Sequence, residues 1–176
     1  MRAREAGFTL IELMLVVAIM GALSTVAIPE FEKMQLRARS AERSLVMKEI
    51  HTAVEEYWAR GDPTTQTNHF PTVAADGTSS IFCPQNPPGA PGAQKRPVVP
   101  LLGDWKFLSL EIPPHVYYSY EVAGAFNGLT RWYAITSVGD LDGDTRQNTF
   151  IRQFTYESDA AKPTVDWDSA TLDGAL

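Results

Sequence analysis

The chain has 176 residues, 44% of them hydrophobic, and sets 15 Lys and Arg against 21 Asp and Glu for a formal charge of −6. That balance excludes a general electrostatic grip on nucleic acid phosphates, which needs a basic surface. Its single cysteine, Cys83, excludes an intramolecular disulfide and the multi-thiolate frameworks of structural zinc sites.

Residues 8–28 form an apolar run whose one charge is Glu12. As a helix rising about 1.5 Å per residue the run is roughly 32 Å long, enough to cross the ~30 Å hydrocarbon layer of a bilayer. Ahead of it Arg2 and Arg4 outweigh Glu5, which predicts a cytoplasmic flank and sends the rest of the chain across the membrane. Three readings stand at this point. A secretory signal peptide would be cut after the run, near Ala22 and Ser24 or Thr25 and Ala27. A plain anchor explains length and flank but not Glu12, because an acid in the span costs up to about 2.5–3.5 kcal/mol near mid-helix and less near the end. An anchor with a functional acid requires a partner for that acid.

Helix-compatible sequence continues from Glu30 to about Arg60, and Pro29, which removes a backbone hydrogen bond, predicts a kink. Ala18, Gly21, Ala22 and Thr25, three and four apart, either allow close helix approach or are ordinary small residues of a membrane helix. Val46, Ile50, Ala53, Val54 and Tyr57 recur as one buried helical face, with Glu56 and Arg60 on a solvated one. Lys33, Arg37, Arg39 and Arg43 form a basic cluster, nearly cancelled by Glu30, Glu32 and Glu42, that serves lipid headgroups or is simple surface charge. Gly61-Asp62-Pro63 predicts the helix stop.

Six prolines between Pro84 and Pro100 predict an extended surface loop over 84–100, a candidate contact site. Cys83, without a flanking Lys, Arg or His, reads as a small buried apolar residue ahead of a reactive thiol. Three alternating strands follow, with Val116, Tyr118, Tyr120 and Val122 on one face of the first. Trp132, Ala134, Thr136 and Val138 share a face of the second, and Phe150, Phe154 and Tyr156 belong to the third. Asn127-Gly128 marks a tight turn between the first two, so the strands form an antiparallel meander whose apolar side covers the helix face. Asp140, Asp142 and Asp144 stand two apart in a glycine-containing turn, where they either gather a calcium ion or make a solvated acidic turn. The match to an EF-hand loop fails at Thr145 and Ile151, which occupy its glycine and glutamate positions. The acidic tail from Glu157 to Leu176 is expected to dock loosely, anchored by Trp167.

No P-loop, G-x-S-x-G elbow, H-E-x-x-H or dinucleotide fingerprint occurs, and His51, His69 and His115 are scattered. With no assignable nucleophile or base, an enzyme is not expected. The organisation is thus a flank at 1–7, an apolar helix at 8–28, its amphipathic continuation at 29–60 and a β-sheet head at 61–176.

Gly7-Phe8-Thr9-Leu10-Ile11-Glu12 resembles the class III signal of type IV prepilins and of the related pseudopilins of type II secretion. The resemblance extends more loosely to the Trp105 segment, Tyr118-Ser119-Tyr120-Glu121 and Gly139-Asp140-Leu141-Asp142-Gly143-Asp144. It implies an α+β fold, a long kinked N-terminal helix packed on an antiparallel sheet. It also implies that a prepilin peptidase removes leader residues 1–7 by cutting after Gly7 and methylates the new amine on Phe8. Glu12 would then dock on the amine of an adjacent subunit, while Gly21 and Pro29 let residues 21–29 stretch. Some members of the family hold calcium in the head, which strengthens the ion reading at Asp140, Asp142 and Asp144 without displacing the solvated acidic turn. The implied partners are other pilin subunits, the peptidase, an inner-membrane assembly platform and, before assembly, membrane lipid, with the head in the periplasm and later on a surface filament. The expected role is a structural subunit of a type IV pilus-like filament, a minor rather than a major pilin. The alternatives are a type II secretion pseudopilin and a membrane-anchored extracytoplasmic binding module. The chain has no second cysteine for the disulfide-bounded loop of many pilins.

Overall fold

The computed structural model describes residues 8–61, 70–71, 80–126, 130–157 and 165–171. The flank at 1–7 with Gly7, the Asn127-Gly128 turn and His69 lie outside them. The first element, α1 (Leu10–Arg60), is a single 51-residue helix. It starts because Thr9, with extended backbone, accepts from the Glu12 amide while the Glu12 carboxylate accepts from the Thr9 amide, a reciprocal capping box. It stops at Gly61, whose positive φ of 75° suits a residue without Cβ and whose N–H reaches the Tyr57 carbonyl at 3.0 Å. Pro29 lies inside the helix, which continues on both sides of it.

Among the described residues seven strands follow: β1 (Ser80–Asn86), β2 (Arg96–Pro97), β3 (His115–Val116), β4 (Ser119–Phe126), β5 (Thr130–Gly139), β6 (Asn148–Glu157) and β7 (Val165–Thr171). A short 3-10 helix, Gly103–Phe107, comes between β2 and β3. Strands β1, β4, β5, β6 and β7 form one antiparallel sheet in the order β1-β4-β5-β6-β7, and β2 pairs with β3 in a two-stranded ribbon. The three-strand meander is therefore the centre of a larger sheet. The expected loop over 84–100 is corrected at both ends: residues 84–86 finish β1, and Arg96–Pro97 pairs with His115–Val116. Pro84 fits because β1 is an edge strand with a register shift between Cys83 and Asn86, so its missing N–H breaks no central ladder. The tail is corrected too, since Val165–Thr171 pairs with β6 as the opposite edge.

The second half of α1 lies on this sheet. Val46, Met47, Ile50, Ala53, Val54 and Tyr57 are buried, as the periodicity requires, against Val116, Tyr118, Tyr120, Val122, Tyr133, Ile135, Phe154 and Tyr156. On β5 the inward face is Arg131, Tyr133, Ile135 and Ser137, and the Trp132 face expected from alternation points outward, with Trp132 38% exposed. Both faces of β5 carry apolar residues, so alternation fixes the strand but not its orientation.

A polar chain ties helix to sheet. The Tyr133 hydroxyl donates to Glu55 Oε1 at 2.7 Å and lies 2.6 Å from His51 Nδ1. One hydroxyl proton serves one acceptor, so His51 Nδ1 carries the hydrogen that Tyr133 Oη accepts. Glu55 Oε2 pairs with buried Arg131 at 3.1 Å, and that guanidinium stacks 3.9 Å from the Tyr156 ring and 4.7 Å from Trp58. Arg60, expected beside Glu56, donates to the Phe107 carbonyl at 3.2 Å instead. The 87–97 segment is clamped by Arg96, which donates to the carbonyls of Pro88 and Gly89 and to the Ser119 hydroxyl.

Two predictions follow from this core. A Cβ on Gly139 would collide with Cδ1 and Cε1 of fully buried Tyr118. Gly139→Ala is expected to destabilise the head by about 1–3 kcal/mol, read as a lower melting temperature of the full chain in detergent. Burial, reinforced by Glu121, pushes the Cys83 thiol up to about 11, and burial raises the phenols of Tyr118, Tyr120, Tyr133 and Tyr156. The unfolded chain loses these protons first, so stability is intact below about pH 9 and falls as pH rises beyond it. Denaturant midpoints should drop between about pH 9 and 11, and Cys83 should react with a thiol reagent at pH 8 only after unfolding.

Candidate functional site

The apolar stretch of α1 is left unburied by the described residues, and it is the one span among them long and apolar enough to cross a membrane. Phe8 is 84% exposed and Leu10 77%, and bulky side chains continue at similar exposure to Met34. Its amide and carbonyl groups bond within the helix, as hydrocarbon demands. Its two hydroxyls bond back as well, Ser24 to the Met20 carbonyl at 2.7 Å and Thr25 to that of Ala22 at 2.8 Å. Pro29 supplies no N–H to the Thr25 carbonyl, and nothing lies within 4 Å of a Cβ placed on Gly21.

Glu12 sits in the first turn of this stretch. Its Oε2 accepts from the Thr9 hydroxyl at 2.7 Å and from the Thr9 amide at 2.9 Å, leaving Oε1 outside the box. Sequence reading named Glu12 but missed Thr9, whose signal was the spacing of three between a Thr and a Glu ahead of an apolar run. The carboxylate is thus aimed back toward Phe8 by its own helix.

The basic cluster divides. Lys33 pairs with Glu30 at 2.9 Å on the exposed helix. Arg39 donates to the Leu141 carbonyl at 3.3 Å, and Arg43 stacks 4.7 Å from the Phe150 ring. Glu42 accepts from the Tyr117 amide at 2.7 Å and pairs with Lys95 at 3.2 Å, while Arg39 and Lys95 both lie over the Tyr117 ring. These charges brace the helix to the head, so Arg39 and Arg43 serve neither alternative, lipid headgroups or simple surface charge.

The three aspartates do converge, with one oxygen of each within 4.8 Å of the others. Asp140, 4% exposed, accepts from the amides of Gly143 at 2.7 Å and Thr145 at 3.2 Å. Asp142 and Asp144 accept from the amides two residues on, and Thr145 adopts a positive φ of 74°. Backbone donors thus hold the turn, and its carboxylates still present oxygen-only ligands of the kind a hard cation takes. His51 belongs to the helix–sheet chain, and His115 is exposed on β3.

Residues 2–28 match the family model described as the prokaryotic N-terminal methylation motif. The chain is 46% identical over 59 residues to the type IV major pilin protein PilA of Myxococcus xanthus, covering 34% of this chain and 27% of that protein. It is 37% identical over 75 residues to the type IV major pilin protein PilE1 of Neisseria gonorrhoeae, 43% of this chain and 46% of that one. It is also 40% identical over 55 residues to the type IV major fimbrial protein FimA of Dichelobacter nodosus, 31% and 35% of the two chains. The chain thus spans less than half the length of these curated relatives. No solved structure matches it. The methylation motif and these relatives, joined to a long apolar helix packed on an antiparallel sheet, make the chain similar to type IV pilins over its N-terminal part.

Proposed function

We propose that the chain is a structural subunit of a type IV pilus-like filament, held in the inner membrane by the apolar part of α1 with its head in the periplasm. The observation that carries this reading is a helix whose first half is apolar and uncovered while its second half is locked into the head. Left in water, such a patch would drive aggregation, so it needs lipid before assembly and neighbouring helices afterwards. Cutting after Gly7 turns the Phe8 nitrogen from an amide into an amine that carries charge. No atom of the Thr9–Glu12 box belongs to residues 1–7, so the carboxylate keeps its aim when the leader goes. An amine and a carboxylate are each costly in lipid, and each relieves the other when the amine of one copy meets Glu12 of the next. A ladder loosened between Gly21 and Pro29 gives the rod its extensible segment. A prepilin peptidase and a membrane assembly platform are the partners this route requires. A minor pilin is the preferred form. A type II secretion pseudopilin is the second reading, because it shares the motif and the route.

Glu12→Ala is expected to leave cleavage after Gly7 intact, read by mass spectrometry of the N-terminus, and to abolish recovery of the chain in sheared surface filaments. Recovery equal to wild type would remove the pairing role, and a chain cut elsewhere or uncut would remove the prepilin assignment.

Asp140, Asp142 and Asp144 would hold a calcium ion, which would lock the turn between β5 and β6 by charge neutralisation. Calorimetric titration of calcium chloride into the full chain in detergent should give heat that the Asp142→Asn, Asp144→Asn double variant loses. A wild type without heat would leave the turn held by its backbone amides alone.

A further inference from the structure

Where α1 first meets the sheet, three buried hydrogen-bonding groups are left unpaired. The hydroxyls of Tyr118 and Tyr120 and Nη1 of Arg43 are shut off from solvent, and none has a hydrogen-bond partner in the chain. Tyr118 is fully buried and Tyr120 is 4% exposed. The three groups are neighbours: the phenol ring centres stand 6.4 Å apart, and the Arg43 guanidinium carbon lies 5.6 Å from the centre of the Tyr118 ring. That guanidinium also lies 4.7 Å from the Phe150 ring, and aromatic rings supply its N–H groups no lone pair. Glu42, whose charge reaches both phenols, turns to the Tyr117 amide at 2.7 Å and to Lys95 at 3.2 Å and bonds to none of the three. A phenol both donates and accepts, but a guanidinium only donates, so the group as a whole lacks an acceptor. Buried polar groups are costly unless a partner replaces the water they gave up.

We infer that α1 and β4 hold one small hydrogen-bond acceptor, of water or halide size, between Arg43 Nη1 and the hydroxyls of Tyr118 and Tyr120. A water there accepts from Arg43 and one phenol and donates to the other, which makes the three bonds usual for a buried water. A halide accepts from all three, favoured by the Arg43 charge and opposed by that of Glu42. Tyr120 also borders a cavity of about 20 Å³ whose lining is almost wholly apolar, because the Asn86 amide is bonded both ways to the Val99 backbone. That space offers a water no second strong partner, so it serves as slack into which the Tyr120 ring moves to admit the acceptor on its other side. Arg43 stands about one turn before buried Val46, so the bound acceptor extends the grip of the head one turn down the rod.

The full chain in detergent tests the site. Tyr118→Phe and Tyr120→Phe should each lower the melting temperature by about 2–4 °C, because each removes one bond to the acceptor. An orphaned hydroxyl gives the opposite sign, since its loss relieves a buried polar group. Variants as stable as wild type, or more stable, therefore overturn the site. Exchange of sodium chloride for sodium gluconate at equal ionic strength separates the two occupants. A melting temperature that falls on exchange in wild type but in neither Phe variant identifies the halide, and one that holds identifies water. A crystal structure of the full chain that shows other buried waters, but no atom within hydrogen-bond distance of both Arg43 Nη1 and a phenol, also overturns it.

Discussion

One helix is asked to satisfy two solvents. From Leu10 to Arg60 the backbone is continuous, but residues up to Ile28 present apolar side chains nearly all round, and those from Val46 to Tyr57 bury one face in an aromatic sheet. A helix apolar on every side is stable only inside something else, whereas an amphipathic one needs a single partner surface. The head satisfies the second half from within the chain. The first half can be satisfied only from outside it, by lipid or by other helices, and this dependence on outside cover organises the rest of the structure.

Glu12 takes its meaning from the same constraint. A carboxylate on an exposed soluble helix would be one capping residue among many. At the start of a rod bound for hydrocarbon it is a group that must be compensated, and Thr9 compensates it only in part, through a single oxygen. The capping box therefore does two things with one side chain: it satisfies a helix amide and fixes where the acid points.

The braces between helix and head are polar as well as apolar. His51, Tyr133, Glu55 and Arg131 connect α1 to β5, while Arg39, Glu42 and Lys95 grip Tyr117 nearer the membrane. Buried groups of this kind contribute little net stability when complete and are costly when broken, so they favour one docking of helix on sheet over its alternatives. The acidic turn after β5 sits beside this second brace through the Arg39 bond to the Leu141 carbonyl.

What the residues determined by themselves is whatever rests on local rules. The apolar run, the glycine stop at Gly61, the 46–57 helix face and the antiparallel strands around Tyr120, Tyr133 and Phe154 follow from periodicity and backbone preference, which act over a few residues. The prepilin-like hexapeptide was legible for the same reason, being contiguous. Tertiary structure alone decided which face of β5 turns inward, because Tyr133 and Trp132 are equally suited to burial until a helix arrives on one side. It also decided that Pro84 and Val165–Thr171 complete the two edges of the sheet, since edge pairing depends on partners far along the chain. The fate of the cations was likewise undetermined locally: Arg39, Arg43 and Arg131 find their partners across separations that no spacing rule reaches.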